Sequence, residues 1–191
     1  RIGNQNFGIT SLRRDVKTDG RHAEVTFTKD WKEDSIRRDF TINSIYADFD
    51  GNIFDPNNGL EDLQKGTVKF IGNSYERIQE DYLRILRYIR FFLLYSKKDH
   101  SNEIKKTIKQ NISGVANLSK ERLLDELNKI FKSRALFRLV KDNFSFEIIS
   151  IIFPQLINLK ILKKLEKKKE EILINKSFDF LLALLILDET D

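Results

Sequence analysis

The chain has 191 residues, of which 40% are hydrophobic and 33% are charged, and this composition indicates a globular protein with a buried core. Its formal net charge of +5 favours a polyanionic partner. The absence of cysteine excludes disulfides and thiolate metal sites, and the two histidines argue against a His-based zinc site. No apolar run approaches the roughly 20 residues of a membrane-spanning helix, so we expect a cytoplasmic protein with no membrane partner.

Alternating apolar and polar residues at the start of the chain predict two strands, at residues 6–13 and 23–27. The polar stretch between them, residues 13–21, contains a turn signal and is longer than a two-residue hairpin loop. We therefore predict a mobile polar loop there. Its acids, Asp15 and Asp19, are interpreted as turn residues rather than as ligands.

Residues 30–38 are typical of a helix, whose early acids Glu33 and Asp34 suit the positive end of the helix dipole. The helix leads into residues 37–43, where arginine, aspartate and asparagine side chains lie among apolar ones. Such a set can hold a ribose and a phosphate. The alternative is a buried Arg–Asp pair that braces the domain, and both roles are compatible.

Short elements are predicted next. A turn signal at residues 50–51, between apolar residues, predicts a hairpin over residues 45–54. Residues 60–65 predict a helix that stops at Gly66, and residues 68–71 predict a further strand.

Residues 73–92 predict one amphipathic helix, capped by its first residue. On its polar face Asp81 and Arg84 lie three residues apart, so we expect the two side chains to project side by side. Arg87 and Arg90 follow one and two turns further along the same helix.

The Asp81–Arg84 pair has a chemical polarity, because a carboxylate only accepts hydrogen bonds and a guanidinium only donates them. The Watson–Crick edges of cytosine and adenine place an amino donor beside a ring-nitrogen acceptor, whereas guanine and uracil present a carbonyl beside a ring N–H. The pair is therefore predicted to select C and A without a nucleic-acid template. The alternative is an exposed ion pair within the helix.

After residue 94 the apolar residues recur at helical spacing, and we place the boundary of this helical part near residues 97–101. Residues 160–169 predict a basic amphipathic helix, which forms either a solvated face or a surface that neutralises phosphates. Residues 178–187 predict a core helix.

Several stretches of the chain match motifs of one known family. They are residues 18–25, 37–43, 55–63, 80–84 and 118–127. In this order they closely resemble the tRNA CCA-adding nucleotidyltransferases and their bacterial poly(A) polymerase relatives. The resemblance covers the chain from residue 7 to about residue 131.

The resemblance implies an α+β fold, with a partial nucleotidyltransferase head sheet followed by an all-helical neck and body. The implied domains are the C-terminal part of the head at 1–72, the neck with the nucleotide-selecting helix at 73–135, and an incomplete RNA-binding body at 136–191. The implied reaction transfers CMP and AMP from CTP and ATP to the 3′ hydroxyl of tRNA and releases pyrophosphate, with Mg²⁺ as the metal cofactor.

Nucleotide-binding roles also follow from the resemblance. The residues expected to contact the ribose and brace the site are Arg38, Asp39 and Asn43. The residues expected to read the base are Asp81 and Arg84. The residues expected near the phosphates are Arg87 and Arg90.

Two features of the family have no match here. Members carry an N-terminal Gly-rich strand and helix, and then an Asp-x-Asp pair that binds two magnesium ions. Gly8 stands where the family usually has a glutamate. Because two-metal phosphoryl transfer needs those acids, we expect no catalytic or metal-binding residue in this chain and no activity from it alone.

The chain begins at Arg1 and contains no methionine, so we expect an N-terminally truncated fragment or a processed product. A separate N-terminal head fragment is then an expected partner, beside tRNA and nucleoside triphosphates. Two alternatives remain open. One is a poly(A) polymerase, and the other is a non-catalytic nucleotide- or RNA-binding remnant of such an enzyme.

Overall fold

The computed structural model describes residues 8, 10–18, 23–164, 173 and 175–186. None of the helices in these ranges is both long and apolar enough to cross a membrane. Most of the ordered elements are helices, and the strands form two small two-stranded sheets.

The first sheet pairs β1 (Arg13–Thr18) with β2 (Ala23–Phe27) in antiparallel orientation, with an irregularity between Asp15 and Lys17. The prediction for β2 is confirmed. The prediction of a strand at 6–13 and a loop at 13–21 is wrong over the described residues, because the strand occupies most of the expected loop. Pairing with β2 satisfies the backbone groups of β1 that face it, whatever the side chains of β1 are, so a polar sequence is no obstacle. Asp19 lies outside the described residues.

The second sheet is the predicted hairpin, in which β3 (Tyr46–Ala47) pairs with β4 (Ile53–Phe54). Gly51 in its turn has φ +84°, a conformation that glycine adopts without strain. The strand predicted at 68–71 is reduced to a single antiparallel bridge between Phe40 and Phe70.

Three short helical elements surround these strands. The predicted first helix is confirmed as α1 (Trp31–Ile36), and Asp30 caps it by accepting a hydrogen bond from the Lys32 amide at 2.7 Å. A 3₁₀ turn (Thr41–Asn43) follows, and then α2 (Gly59–Lys65).

α2 ends at Gly66, as predicted, and this residue is held against the far end of the long helix described next. The Gly66 carbonyl accepts hydrogen bonds from the Lys97 amide at 2.9 Å and from the Ser96 hydroxyl at 3.2 Å. A Cβ atom at Gly66 would lie 2.5–2.7 Å from Lys97 atoms. The residue is therefore glycine both for its positive φ and for this close approach.

The single helix predicted over 73–92 is wrong, because the structure has two helices, α3 (Ser74–Glu80) and α4 (Leu83–Tyr95). The break is at Asp81, whose backbone is extended with φ −155° and ψ 106°. In that conformation the Asp81 carboxylate accepts a hydrogen bond from the Leu83 amide at 3.1 Å, which satisfies a free N–H at the start of α4. The predicted cap at Asn73 is confirmed, since its side chain accepts hydrogen bonds from two amides of α3.

The described residues after α4 are mostly helical, as predicted. The α-helices are α5 (Asn102–Asn111), α6 (Lys120–Phe131), α7 (Ala135–Leu139), α8 (Asn143–Ile152) and α9 (Phe178–Ile186). The 3₁₀ segments are Ile112–Asn117 and Ile157–Lys164. The α-helix predicted at 160–169 is therefore a 3₁₀ helix up to residue 164, and its remaining residues lie outside the described ranges.

One hydrophobic core runs from Phe40 to Leu185. α4 lies in it along one face, with Ile85, Leu86 and Ile89 fully buried, and it packs against α6 and α7. The predicted α+β class, a small head sheet followed by helices, is confirmed. The predicted domain boundaries stay predictions.

Candidate functional site

Asp34 lies at the centre of the polar contacts made by the first helix. Its carboxylate is fully buried and accepts six hydrogen bonds. Arg37 donates to Oδ1 at 2.9 and 2.6 Å, and Arg38 donates to Oδ2 at 3.1 and 2.9 Å. The Tyr46 hydroxyl and the Arg13 backbone amide complete the set at 2.8 and 3.1 Å. One carboxylate therefore fixes both guanidinium groups.

The charge of Asp34 is stable at neutral pH. Burial by itself would raise the pKa of this carboxyl, but the hydrogen bonds from Arg13, Tyr46, Arg37 and Arg38 outweigh it and lower the pKa well below its usual range. Burial and the bond to Asp34 raise the pKa of Tyr46 to about 12. The cluster thus keeps one negative and two positive charges around neutrality.

Sequence reasoning missed this role, because it assigned Asp34 only to the helix dipole. The signal that could have found it is the spacing of Asp34 to Arg37 and Arg38, at three and four residues along one helix. Trp31, the only tryptophan in the chain, stacks on the Tyr46 ring at 5.6 Å and so lies against the same cluster.

The predicted ribose and bracing residues lie together. Asp39 is 5% exposed, and its Oδ1 accepts a hydrogen bond from the Asn43 side chain at 2.9 Å. Its Oδ2 accepts one from the guanidinium of Arg87 on α4. Burial would raise the pKa of Asp39, but the Arg87 charge and these hydrogen bonds lower it. Asp39 therefore braces residues 37–43 against α4, which agrees with the alternative role given to this run.

Arg77 on α3 joins the two halves of the candidate site. Its guanidinium donates to the backbone carbonyls of Arg37 and Arg38 at 2.8 and 2.7 Å. Its own carbonyl accepts a hydrogen bond from Arg84 at 2.6 Å, and the Glu80 carboxylate bonds both arginines. The arginine pair after α1 and the arginine at the start of α4 are therefore held in one hydrogen-bonded set.

The two predicted base readers lie on either side of the helix break and have different partners. The Asp81 carboxylate pairs with Arg122 of α6 at 2.7 Å, whereas Arg84 pairs with Glu80. Their main chains stay close, since the Arg84 amide donates to the Asp81 carbonyl at 3.0 Å. The premise that they share one helical face is wrong, and so is the alternative of an ion pair between them. The role of both residues in reading the base stays a prediction.

The two predicted phosphate-side arginines face a buried acid that sequence reasoning missed. Glu126 on α6 is 1% exposed. It pairs with Arg90 at 2.8 Å, with Lys129 at 2.8 Å and with Arg87 at 3.6 Å. Both arginines are thus already neutralised by carboxylates in the protein without a ligand, and a phosphate would have to compete with Asp39 and Glu126 for them.

A magnesium site is not supported by the described residues. They include no group of three or more His, Cys, Asp or Glu side chains that could hold a metal ion. The letters Asp-x-Asp do occur, at residues 48–50. There Asp48 accepts hydrogen bonds from the Asp50 and Asn52 amides and from the Asn52 side chain, so it shapes the hairpin turn. Gly8 has no neighbour within 4 Å of a Cβ atom built on it.

Family models match two parts of the chain. Residues 1–69 match the "Poly A polymerase head domain", and residues 101–160 match the "Probable RNA and SrmB- binding site of polymerase A". The two matches flank α3 and α4, so the candidate site lies where the two parts meet.

Individual proteins are similar over most of the chain. The human "CCA tRNA nucleotidyltransferase 1, mitochondrial" is 47% identical over 154 residues, which are 80% of this chain and 36% of that protein. The "CCA-adding enzyme" of Staphylococcus haemolyticus is 32% identical over 184 residues, 95% of this chain and 44% of that protein. The chain therefore spans less than half the length of these relatives. Because the human relative is mitochondrial by name, the predicted cytoplasmic location stays a prediction.

Solved structures share the fold. The CCA-adding enzyme of Bacillus stearothermophilus, solved in complex with CTP, superimposes with a TM-score of 0.59 at 25% identity, over 92% of this chain and 50% of that chain. The motif resemblance, the family models, the sequence relatives and the fold agree. This chain belongs to the CCA-adding tRNA nucleotidyltransferase family.

Proposed function

We propose that this chain is the nucleotide-selecting and RNA-contacting part of a CCA-adding tRNA nucleotidyltransferase. The reaction transfers CMP and AMP from CTP and ATP to a tRNA 3′ hydroxyl and releases pyrophosphate. The observation that carries the proposal is the set of hydrogen bonds made by Arg77. Its guanidinium donates to the carbonyls of Arg37 and Arg38, and its own carbonyl accepts a hydrogen bond from the Arg84 guanidinium. It brings the ribose-binding run next to the start of the base-reading helix.

The roles of individual residues follow from their contacts. The Arg38 side chain is 31% exposed, and Asp34 fixes its Nε and Nη2. Its Nη1 is then the donor available to a ribose or phosphate oxygen. Asp81 accepts the exocyclic amino group of cytosine or adenine, and Arg84 donates to the ring nitrogen. In the site without a ligand both charges are paired, Asp81 with Arg122 and Arg84 with Glu80. Binding of the base therefore requires that these two ion pairs break.

We propose that Mg²⁺ is held by a head segment that this chain does not contain, supplied in a longer protein or as a separate N-terminal fragment. The described carboxylates do not fit a metal site, since those of the candidate site are bound to arginines or to backbone amides. The purified chain is therefore expected to incorporate no labelled CTP into tRNA. Incorporation by the chain alone would contradict this part of the proposal.

Binding of nucleotides by the purified chain tests the base-reading role directly. Trp31 reports on the cluster around Asp34 through its stack on Tyr46, so its emission is the signal to titrate with CTP, ATP, UTP and GTP. CTP and ATP are expected to bind more tightly than UTP and GTP. Asp81→Ala and Arg84→Ala are each expected to remove about 1–3 kcal/mol of that discrimination, because each leaves a hydrogen-bonding group of the base unpaired.

Arg14→Ala is the matched control for the arginine variant. The Arg14 side chain is 58% exposed, and its ion pair with Glu33 is long at 3.8 Å. This control is expected to leave the discrimination unchanged. An unchanged preference in Asp81→Ala and Arg84→Ala as well would remove the base-reading role.

A poly(A) polymerase is the second candidate, because the head model that matches residues 1–69 carries that description. It predicts tight binding of ATP and weak binding of CTP in the same titration. The third candidate, a non-catalytic remnant that still binds RNA or nucleotides, is favoured by the lack of a metal-binding group among the described residues. It predicts no incorporation even when the N-terminal head segment is added back.

Binding of tRNA is proposed to be electrostatic and to reside mainly in the helical part, where residues 101–160 match the RNA-binding model and the basic stretch 160–169 follows. Lysines that neutralise phosphates release counterions, so affinity is expected to fall steeply with salt. Affinity that does not change with salt would contradict this proposal.

A further inference from the structure

The break between α3 and α4 rests on the helical part of the chain through Tyr82. Two residues, Asp81 and Tyr82, separate the helices, and Asp81 is a predicted base reader. The half-buried Tyr82 ring lies directly on Gly114, a buried residue of the 3₁₀ segment Ile112–Asn117. A Cβ atom at Gly114 would lie 2.3–2.5 Å from three atoms of that ring. No side chain therefore fits at residue 114 while the ring keeps its place.

The backbone at Gly114 does not by itself require glycine. Positive φ values, which favour glycine, occur at Gly51, Gly66 and Gly72, whereas Gly114 is not in that conformation. It lies in a 3₁₀ segment, where the backbone accepts alanine without strain. The physical reason for glycine at this position is therefore the contact with the Tyr82 ring rather than a turn.

The main chain connects the position of Tyr82 to both predicted base readers. The Tyr82 carbonyl accepts a hydrogen bond from the Ile85 amide at 3.1 Å, in the first turn of α4. In the same turn the Asp81 carbonyl accepts a hydrogen bond from the Arg84 amide at 3.0 Å. A displaced Tyr82 would therefore move the start of α4, and the Arg84 side chain would point in a different direction.

We propose that Tyr82 is a positioning residue for nucleotide selection and that Gly114 holds its ring in place. This inference deepens the proposed function and rests on it, because it needs the base-reading role of Asp81 and Arg84. The ion pair with Arg122 fixes the carboxylate of Asp81, whereas the ring contact fixes the main chain that follows it. The preference for cytosine and adenine then depends on a glycine that does not touch the nucleotide.

A double-mutant cycle at residues 82 and 114 tests the inference. The chains with Tyr82→Ala, with Gly114→Ala and with both changes are titrated with CTP, ATP, UTP and GTP, and Trp31 emission is the signal. Each single change is expected to reduce the preference for CTP over UTP at least about threefold, because either one removes the ring contact. The double variant is expected to lose no more than Tyr82→Ala alone, since no ring is left for the added methyl group to displace.

Two control variants assign the effect to the ring contact. Tyr82→Phe keeps the ring and is expected to keep the preference of the wild type. Ser113→Ala changes an exposed neighbour in the same 3₁₀ segment and is expected to change nothing. Urea unfolding of every variant is measured in parallel. A contact that only stabilises the fold would lower the free energy of unfolding and leave the preference of the folded chain unchanged, and that result would overturn the inference.

A second readout, which needs no nucleotide, separates this inference from the proposed function. The Nε–H signal of Arg84 in the ¹⁵N-labelled chain reports on the start of α4. Gly114→Ala is expected to shift this signal in the wild-type chain but not in the Tyr82→Ala chain, and equal shifts in both chains overturn the inference. A wild type without any preference among the four nucleotides contradicts the base-reading role instead. A wild-type preference that Gly114→Ala retains overturns the inference alone.

Discussion

The two faces of α4 are held in different ways. Its apolar face lies in the core, where Ile85, Leu86 and Ile89 are fully buried. On its polar face every arginine is bound to a carboxylate from another part of the chain or from the preceding helix. These pairs are Arg84 with Glu80, Arg87 with Asp39 and Arg90 with Glu126.

The apolar face of α4 determines the stability of the helix, and its arginine face determines the position of the hydrogen-bond donors. Apolar burial is non-directional and contributes in proportion to area, so the buried face accounts for the stability of the helix. Ion pairs that lose hydration contribute little net stability but have strict geometry, so the arginine face fixes where the donors of the candidate site lie. Variants on the two faces are therefore expected to separate stability from nucleotide binding.

The largest effect is expected from the apolar face. Leu86→Ala removes a fully buried side chain of α4 and is expected to lower the free energy of unfolding in urea by about 2–5 kcal/mol. Leu124→Ala on α6, where the side chain is 41% exposed, is the control and is expected to cost less than about 1 kcal/mol. The folded fraction of Leu86→Ala is expected to keep the nucleotide preference. A changed preference would mean that the two faces are not independent.

A smaller loss of stability with a larger loss of binding is expected from Asp34→Ala. The change leaves Arg37 and Arg38 without their shared acceptor, but both side chains retain some exposure and regain water, so the cost is about 2 kcal/mol of unfolding free energy. Nucleotide affinity, followed by Trp31 emission, is expected to fall at least about tenfold, since both guanidinium groups lose their orientation.

The control for Asp34→Ala is Glu33→Ala on the same helix, because the Glu33 side chain is 40% exposed and its ion pair with Arg14 is long, at 3.8 Å. It is expected to change the unfolding free energy by less than about 0.5 kcal/mol. Equal nucleotide affinity in the Asp34 and Glu33 variants would show that the buried carboxylate has no part in binding.

Acid titration tests a polar contact of the helical part, between Asp142 and His100. Asp142 at the start of α8 bonds His100 at 3.0 Å and the Ser145 amide at 2.7 Å. Burial would raise its pKa, but these bonds lower it from 3.8 to about 2. The stabilisation is therefore complete above pH 3.8 and is lost as the pH falls towards 2. We expect a loss of about 1–2 kcal/mol, since Asp142 remains partly exposed.

The measurement is the free energy of unfolding of the wild type and of Asp142→Asn between pH 5 and pH 2. The difference between the two proteins is expected to shrink as the pH falls, because the wild-type carboxylate is then protonated too. A difference that stays constant over this range would remove the assignment of the low pKa to Asp142.

The smallest effect is expected at the surface of the helical part. Lys109 on α5 pairs with Glu147 on α8 at 2.7 Å, with the two side chains 54% and 47% exposed. Lys109→Ala is expected to cost no more than about 0.5 kcal/mol at low salt and less at high salt, because water and ions screen such pairs. A cost above about 1 kcal/mol in urea unfolding would show that exposed ion pairs stabilise this protein more than expected. It would contradict the view that apolar burial, rather than ion pairing, accounts for its stability.

Local signals in the sequence predicted the elements that local chemistry determines. Asn73 caps α3, Gly66 ends α2 and the Asp-Gly turn closes the hairpin, because each of these residues acts on backbone groups a few positions away. The apolar residues of the later helices were predicted for the same reason. A helical period places them on one face whatever the partner is.

Long-range partners account for what the sequence did not reveal. The backbone of Asp81 is not helical, and its carboxylate accepts hydrogen bonds from the Leu83 amide and from the Arg122 guanidinium. Arg122 lies 41 residues further along the chain. No Gly or Pro marks the break, so the helical period continues through it. The role of Glu126 was hidden in the same way, because its partner Arg90 is 36 residues away.

The contact of Gly66 with Ser96 and Lys97 has a mechanical consequence when it is combined with the bonds from Arg77 to the carbonyls of Arg37 and Arg38. The first attachment lies at the end of α4 and the second lies before its start, and the 13 residues of the helix separate them by about 20 Å. A segment tied at one point can pivot, but one tied at two distant points can turn only about the line between them. The loop of Arg37 and Arg38 therefore cannot swing away from α4 unless its bonds to Arg77 and the pair between Asp39 and Arg87 are broken.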